Sequence, residues 1–70
     1  MEEIKWLAEN IREELEDAEK YALKALKCKD QDKEMSQTLA GLSKQELTHS
    51  ELLHDQAVRL IKEQHDMLMG

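Results

Sequence analysis

Proline is absent from this 70-residue sequence and glycine occurs only twice, so little in the chain interrupts a helix. Aromatic side chains are almost missing, with one tryptophan, one tyrosine and no phenylalanine. β-Branched residues are also scarce, whereas alanine, leucine, glutamate, lysine and glutamine, which favour helices, dominate. These scarcities argue against a β-sheet protein, and the sequence predicts an all-α fold.

The single cysteine, Cys28, excludes a disulfide within the chain. The formal net charge is -6, and no basic block is present that could neutralise phosphates, so we expect no nucleic-acid partner. No apolar run approaches the roughly 18 residues that suggest a membrane span. The sequence also lacks the basic leader and apolar segment of a secretory signal. We therefore expect a soluble, cytoplasmic protein that does not enter membranes.

Two amphipathic helices are predicted from apolar residues that recur at alternating spacings of three and four. Helix 1 is predicted over about 2–28 and helix 2 over about 33–67, joined by a turn at about 29–32, where Asp32 or Asp30 caps the second helix. The predicted face of helix 1 is Ile4, Leu7, Ile11, Ala18, Tyr21, Ala25 and Cys28. The predicted face of helix 2 is Met35, Leu39, Leu42, Leu53, Gln56, Leu60 and Met67.

The two helices are expected to form a single domain, an antiparallel hairpin that cannot cover all of its own apolar surface. Helix 1 carries a second apolar stripe, and so small a core supplies only a few kcal/mol. We therefore predict a homodimer or higher homo-oligomer in which hairpins form a ferritin-like four-helix bundle. The second stripe consists of Ala8, Leu15, Ala22 and Leu26.

Two further residues indicate contacts. Trp6 lies outside the stripes and suggests a further subunit contact, and Gly41 suggests a close helix approach.

Three polar residues, Glu14, Glu46 and His49, interrupt the middle of the apolar stripes. If the turn centres near residue 31, all three lie at one level of the hairpin. Glu46 and His49 are three residues apart, so their side chains point in nearly the same direction. Burying an unpaired carboxylate in an apolar core costs several kcal/mol of stability. A bound cation would offset this cost.

A two-fold axis between two hairpins would double this set to four glutamates and two histidines. That is the ligand set of carboxylate-bridged di-iron and di-manganese sites in helical bundles. Carboxylates can bridge two divalent ions, and neutral imidazole suits iron, zinc or manganese-type sites. The sequence thus predicts two metal ions per dimer, with iron favoured and manganese or zinc as alternatives.

The spacing of these residues resembles half of a ferritin-like domain of the bacterioferritin and rubrerythrin kind. It is most similar to the two-helix encapsulated ferritins, on the segments from Glu14 to Tyr21 and from Glu46 to Leu53. The resemblance implies that Glu14, Glu46 and His49 ligate iron, that Tyr21 lies near the metal, and that the protein has ferroxidase activity. It also implies a larger shell or partner protein and a location inside a protein compartment.

The residue pattern also fits other interpretations. Glu13 would replace Glu14 as a ligand if helix 1 were rotated by one position, although its neighbours on that face are polar. The polar residues of the stripes could instead fix the register of a bundle through hydrogen bonds. In that case the protein would be a non-enzymatic helical hairpin that oligomerises and binds another protein through surfaces around Trp6 and helix 2.

Overall fold

The structure, a computed structural model, describes residues 2–69 and contains two α-helices. These are α1 (Glu2–Cys28) and α2 (Lys33–Met69). No strand occurs within residues 2–69, so the predicted all-α class is confirmed. The second helix extends two residues beyond the predicted end at 67. Neither helix, over the residues described, combines the length and apolar character that a membrane crossing requires.

The turn between the helices is tight and is closed by hydrogen bonds at both ends. The backbone N–H groups of Gln31 and Asp32 donate to the Cys28 carbonyl at 3.2 and 2.8 Å, which satisfies an acceptor at the end of α1. The Asp32 carboxylate accepts a hydrogen bond from the Met35 backbone N–H at 3.0 Å. Asp32 is therefore the N-cap of α2, one of the two candidates that the sequence offered.

The helices run antiparallel and contact each other along their lengths, forming a rod of 59 × 14 × 11 Å. Contacts pair the end of one helix with the start of the other, since the Ser36 hydroxyl donates to the Ala25 carbonyl at 2.7 Å. About two helical turns further from the loop, the Ser43 hydroxyl donates to the Ala18 carbonyl at 2.6 Å. The chain therefore doubles back on itself, and residues far apart in sequence lie at matched levels.

The centre of the helix contact consists of small residues rather than the leucines expected in α2. Buried residues in α1 are Leu7, Ala18 and Ala25, whereas those in α2 are Ser43 and Ser50. The predicted face of α2 is therefore off-centre, and Met35, Gln56 and Met67 within it are exposed. The reason is that each buried serine hydroxyl finds a backbone carbonyl, so its burial leaves no unsatisfied donor.

Much of the apolar surface stays exposed in the single chain, and no side chain of residues 2–69 is fully buried. In the second stripe of helix 1, Leu15 and Leu26 are 46% and 67% exposed. The expectation for Gly41 is wrong within the chain, because a Cβ built there would meet nothing within 4 Å. The structure thus leaves large apolar side chains facing outward on both helices.

Candidate metal centre

The three predicted ligands meet near the middle of the hairpin. Glu14 lies about midway along α1, and Glu46 and His49 lie on the part of α2 that passes beside it. Because α2 is helical throughout this region, the spacing of three residues places Glu46 and His49 on one side, one turn apart. Helix α1 therefore supplies one polar side chain to this place, and α2 supplies two.

The side-chain atoms of this group approach closely enough to share an ion. His49 Nδ1 lies 3.3 Å from Glu14 Oε2 and 3.9 Å from Glu46 Oε1. Each of the three residues offers one ligand atom, and all of these atoms lie within 4.8 Å of one another. Two donors bound tetrahedrally to one ion at about 2.1 Å are about 3.4 Å apart. Only small side-chain movements would therefore bring the three donors onto one ion.

The group is open on one side. The side chains of Glu14 and Glu46 retain 25% and 21% of their exposure, whereas that of His49 retains 56%. These residues are therefore half-buried or exposed in the single chain, not enclosed in a core as the sequence pattern suggested. Three protein donors also leave coordination positions free for water, a substrate or a further side chain.

The carboxylates of Glu14 and Glu46 lie close together, and their proximity changes the pKa of Glu46. Glu14 raises the pKa of Glu46, first through a hydrogen bond in which the two carboxyl groups share a proton. Partial desolvation of Glu46 and the negative charge of Glu14 raise this pKa further. A protonated His49 opposes the shift. A divalent cation would relieve the same repulsion, since it supplies positive charge between the carboxylates.

Asp17 also contributes to this crowding, although sequence reasoning did not include it. Its negative charge adds to the rise in the pKa of Glu46. Asp17 lies three residues after Glu14, so the two side chains project from neighbouring positions of α1. The spacing of three residues from Glu14 could have indicated Asp17. Asp17 does not interrupt the apolar stripe, however, and the candidate ligands were predicted from residues that do.

Two other predicted residues lie outside the group. Tyr21 is half-buried and lines a groove with Leu39. It follows Glu14 by two helical turns, about 10 Å along the axis. Glu13, the alternative ligand, is exposed and is not among the three residues whose ligand atoms converge.

Comparison of this chain with models of protein families, with curated proteins and with solved structures found no match.

Proposed function

We propose that this protein binds divalent metal ions, with iron favoured, through Glu14, Glu46 and His49. In this proposal two chains form a ferritin-like four-helix bundle, and each contributes the same three residues to one di-metal site. The observation that carries the proposal is the convergence of one imidazole and two carboxylates, from both helices, within 4.8 Å.

The donor types fit the proposed ions. Two carboxylates per chain provide negative charge that balances a divalent cation and oxygens that can bridge two of them. The His49 imidazole adds a neutral nitrogen donor suited to iron, zinc or manganese. Glu14 raises the pKa of Glu46, so protons compete with a cation for the Glu46 carboxylate more strongly than for an isolated glutamate.

The shape of the chain supports a second copy. A globular protein of 8.2 kDa exposes about 4,500 Å², whereas this chain exposes 5898 Å². The excess of about 1,400 Å² is larger than the roughly 800 Å² that each partner buries in a standard interface. The radius of gyration, 16.6 Å, likewise exceeds the value of about 11 Å for a compact 70-residue domain. A dimer would remove the exposed apolar side chains from water.

The proposed activity is the oxidation of Fe(II), the substrate, by oxygen or peroxide, with iron supplying the redox chemistry. Glu14 and Glu46 would hold and bridge the ions, and His49 would complete the coordination of each. Tyr21, on the same face of α1, would be the nearest aromatic side chain of that helix and is proposed to lie near the metal.

Titration of the protein with Fe(II) without oxygen, or with Zn²⁺ as a redox-inert substitute, tests the proposal. Binding at about one ion per chain should raise the melting temperature, because a ligand selective for the folded state stabilises it. Glu46→Ala and His49→Ala should each weaken binding and lose most of that increase. Equal metal responses in the wild type and both variants would refute the ligand assignment.

The alternative function, a protein-interaction module without a metal, is favoured by one observation. Trp6 is 58% exposed, which is unusual for so large an apolar side chain. Such a module would show no metal-dependent change in stability, and Glu46→Ala would alter the oligomer with or without metal. The same titration therefore separates the two functions.

A further inference from the structure

Asp17 lies on α1 about one helical turn nearer the loop than Glu14. Glu46 holds the corresponding position on α2, about one turn nearer the loop than His49. Because the helices run antiparallel, both steps go the same way along the rod. Asp17 is therefore at the level of Glu46, just as Glu14 is at the level of His49, which it contacts at 3.3 Å.

Two contacts between the helices bracket the level of Asp17. On the side away from the loop, His49 Nδ1 lies 3.3 Å from Glu14 Oε2. On the side toward the loop, the Ser43 hydroxyl donates to the Ala18 carbonyl at 2.6 Å. The helices are thus in contact immediately before and after Asp17, and its side chain has only a short distance to span to reach α2.

Asp17 also lies on the side of the hairpin that carries the three candidate ligands. Side chains three residues apart on a helix have Cβ atoms roughly 5–6 Å apart, so Asp17 adjoins Glu14. The electrostatics agree with this placement. The pKa of Glu46, raised mainly by Glu14, is raised further by the negative charge of Asp17. Asp17 is exposed, so its side chain has room to rotate toward the centre.

In the structure the Asp17 carboxylate lies outside the group of ligand atoms that are all within 4.8 Å of one another. Two carboxylates belong to that group, and their negative charge repels a third. A divalent cation would reverse this repulsion, because it places positive charge at the point where the carboxylates meet. Ion binding should therefore draw the Asp17 side chain inward.

We infer that Asp17 is a fourth protein donor to the metal centre, so that one chain supplies three carboxylates and one imidazole to its ion. This inference rests on the metal site proposed above and extends its ligand set beyond the residues that interrupt the apolar stripes. With the fourth donor, a single chain can complete a four-coordinate site. An ion with a larger coordination number keeps further positions for a bridging carboxylate or the oxidant.

The experiment is carbon NMR of the full chain, labelled with ¹³C at the aspartate side-chain carboxyl and titrated with Zn²⁺ at neutral pH. The Asp17→Asn variant lacks one resonance and so identifies the Asp17 signal. That signal should move until one equivalent of Zn²⁺ is bound, while the other four stay in place. An Asp17 signal that does not move while Zn²⁺ binds would overturn the inference. The other aspartates are Asp30, Asp32, Asp55 and Asp66.

The affinity for Zn²⁺ provides a second readout. Asp17→Asn keeps the size of the side chain but removes a charged donor, so it should weaken binding at least about tenfold. The matched control is Glu16→Gln, which removes the same charge from the neighbouring, exposed position and should change the affinity much less. Circular dichroism checks that both variants stay helical. Equal losses in the two variants would show a general electrostatic effect and overturn the assignment of Asp17 as a ligand.

Failure of this inference can be told apart from failure of the proposed function. If Glu46→Ala abolishes Zn²⁺ binding but Asp17→Asn leaves it unchanged, the metal centre stands and the fourth donor is refuted. If the wild type binds no Zn²⁺, the metal function and the fourth donor are both refuted.

Discussion

His49 Nδ1 lies 3.3 Å from Glu14 Oε2, although the two residues are separated by 35 positions in the sequence. The contact joins the two helices at mid-length and places Glu46 Oε1 3.9 Å from the same nitrogen. The three atoms belong to the candidate metal centre.

Glu14→Gln should weaken Zn²⁺ binding at least about tenfold, because the change removes a charged oxygen donor while keeping the side-chain size. The matched control is Glu13→Gln, which removes the same charge from the neighbouring, exposed position. Calorimetric titration at constant pH and ionic strength measures both affinities. If the Glu13 variant lost as much affinity as the Glu14 variant, Glu14 would not be a ligand.

The stability of the metal-free protein should fall as the pH rises above 4.5, the ordinary pKa of Glu46. The folded state raises this pKa, so the folded state binds the proton more tightly than the unfolded state does. The stabilisation is complete below pH 4.5 and is lost as the pH rises through the folded-state pKa. Urea unfolding at fixed protein concentration, from pH 4.5 to 7, measures this slope.

Two variants complete the pH series. Glu46→Gln should reduce the slope of stability against pH. Glu51→Gln, at an exposed position of the same helix, is the matched control and should leave that slope unchanged. The series must be run without metal, because an ion bound to Glu46 would reverse the dependence. A wild-type slope no steeper than that of the Glu46 variant would contradict the assignment.

Asp32→Ala should lower the free energy of unfolding by about 1 kcal/mol. The substitution removes the carboxylate that accepts the Met35 backbone N–H at 3.0 Å and leaves that donor to water. Asp30→Ala is the matched control, since Asp30 is an exposed residue of the same turn. Thermal or urea unfolding followed by circular dichroism measures both. Equal losses in the two variants would show that Asp32 is not the cap.

Gly41→Ala should stabilise α2 by about 1 kcal/mol, because alanine favours the helix over glycine by that amount. The new methyl group meets nothing within 4 Å in the chain. Unfolding experiments on the dimer measure the change. A loss of stability instead would mean that another chain packs against Gly41 in the assembly.

The sequence predicted the features that depend on local periodicity. Alternating apolar spacings indicated both helices, and the polar residues before Lys33 indicated the turn and a cap at Asp32 or Asp30, of which the structure has Asp32. That Glu14, Glu46 and His49 lie at one level of the hairpin could be predicted by counting residues on either side of the turn. An antiparallel hairpin places residues side by side when they are equally far from the turn.

Other features depend on contacts that no local pattern records. Ser43 and Ser50 occupy the buried centre of α2, but as polar residues they fall outside any apolar stripe. Their burial becomes favourable only because the Ala18 and Leu47 carbonyls accept their hydroxyl hydrogens. The sequence pattern likewise placed the polar group in a core, whereas His49 is more than half exposed in the single chain. The dimer and its metal stay predictions.

Native mass spectrometry of the protein after incubation with Fe(II) without oxygen tests the central claim most directly, because it reports the number of chains and of bound ions in one spectrum. The expected species is a dimer, or a multiple of it, that carries about one ion per 8.2 kDa chain. The Glu46→Ala variant should assemble to the same size without bound iron. A folded monomer, or a wild-type oligomer free of iron, would contradict the proposed dimeric metal site.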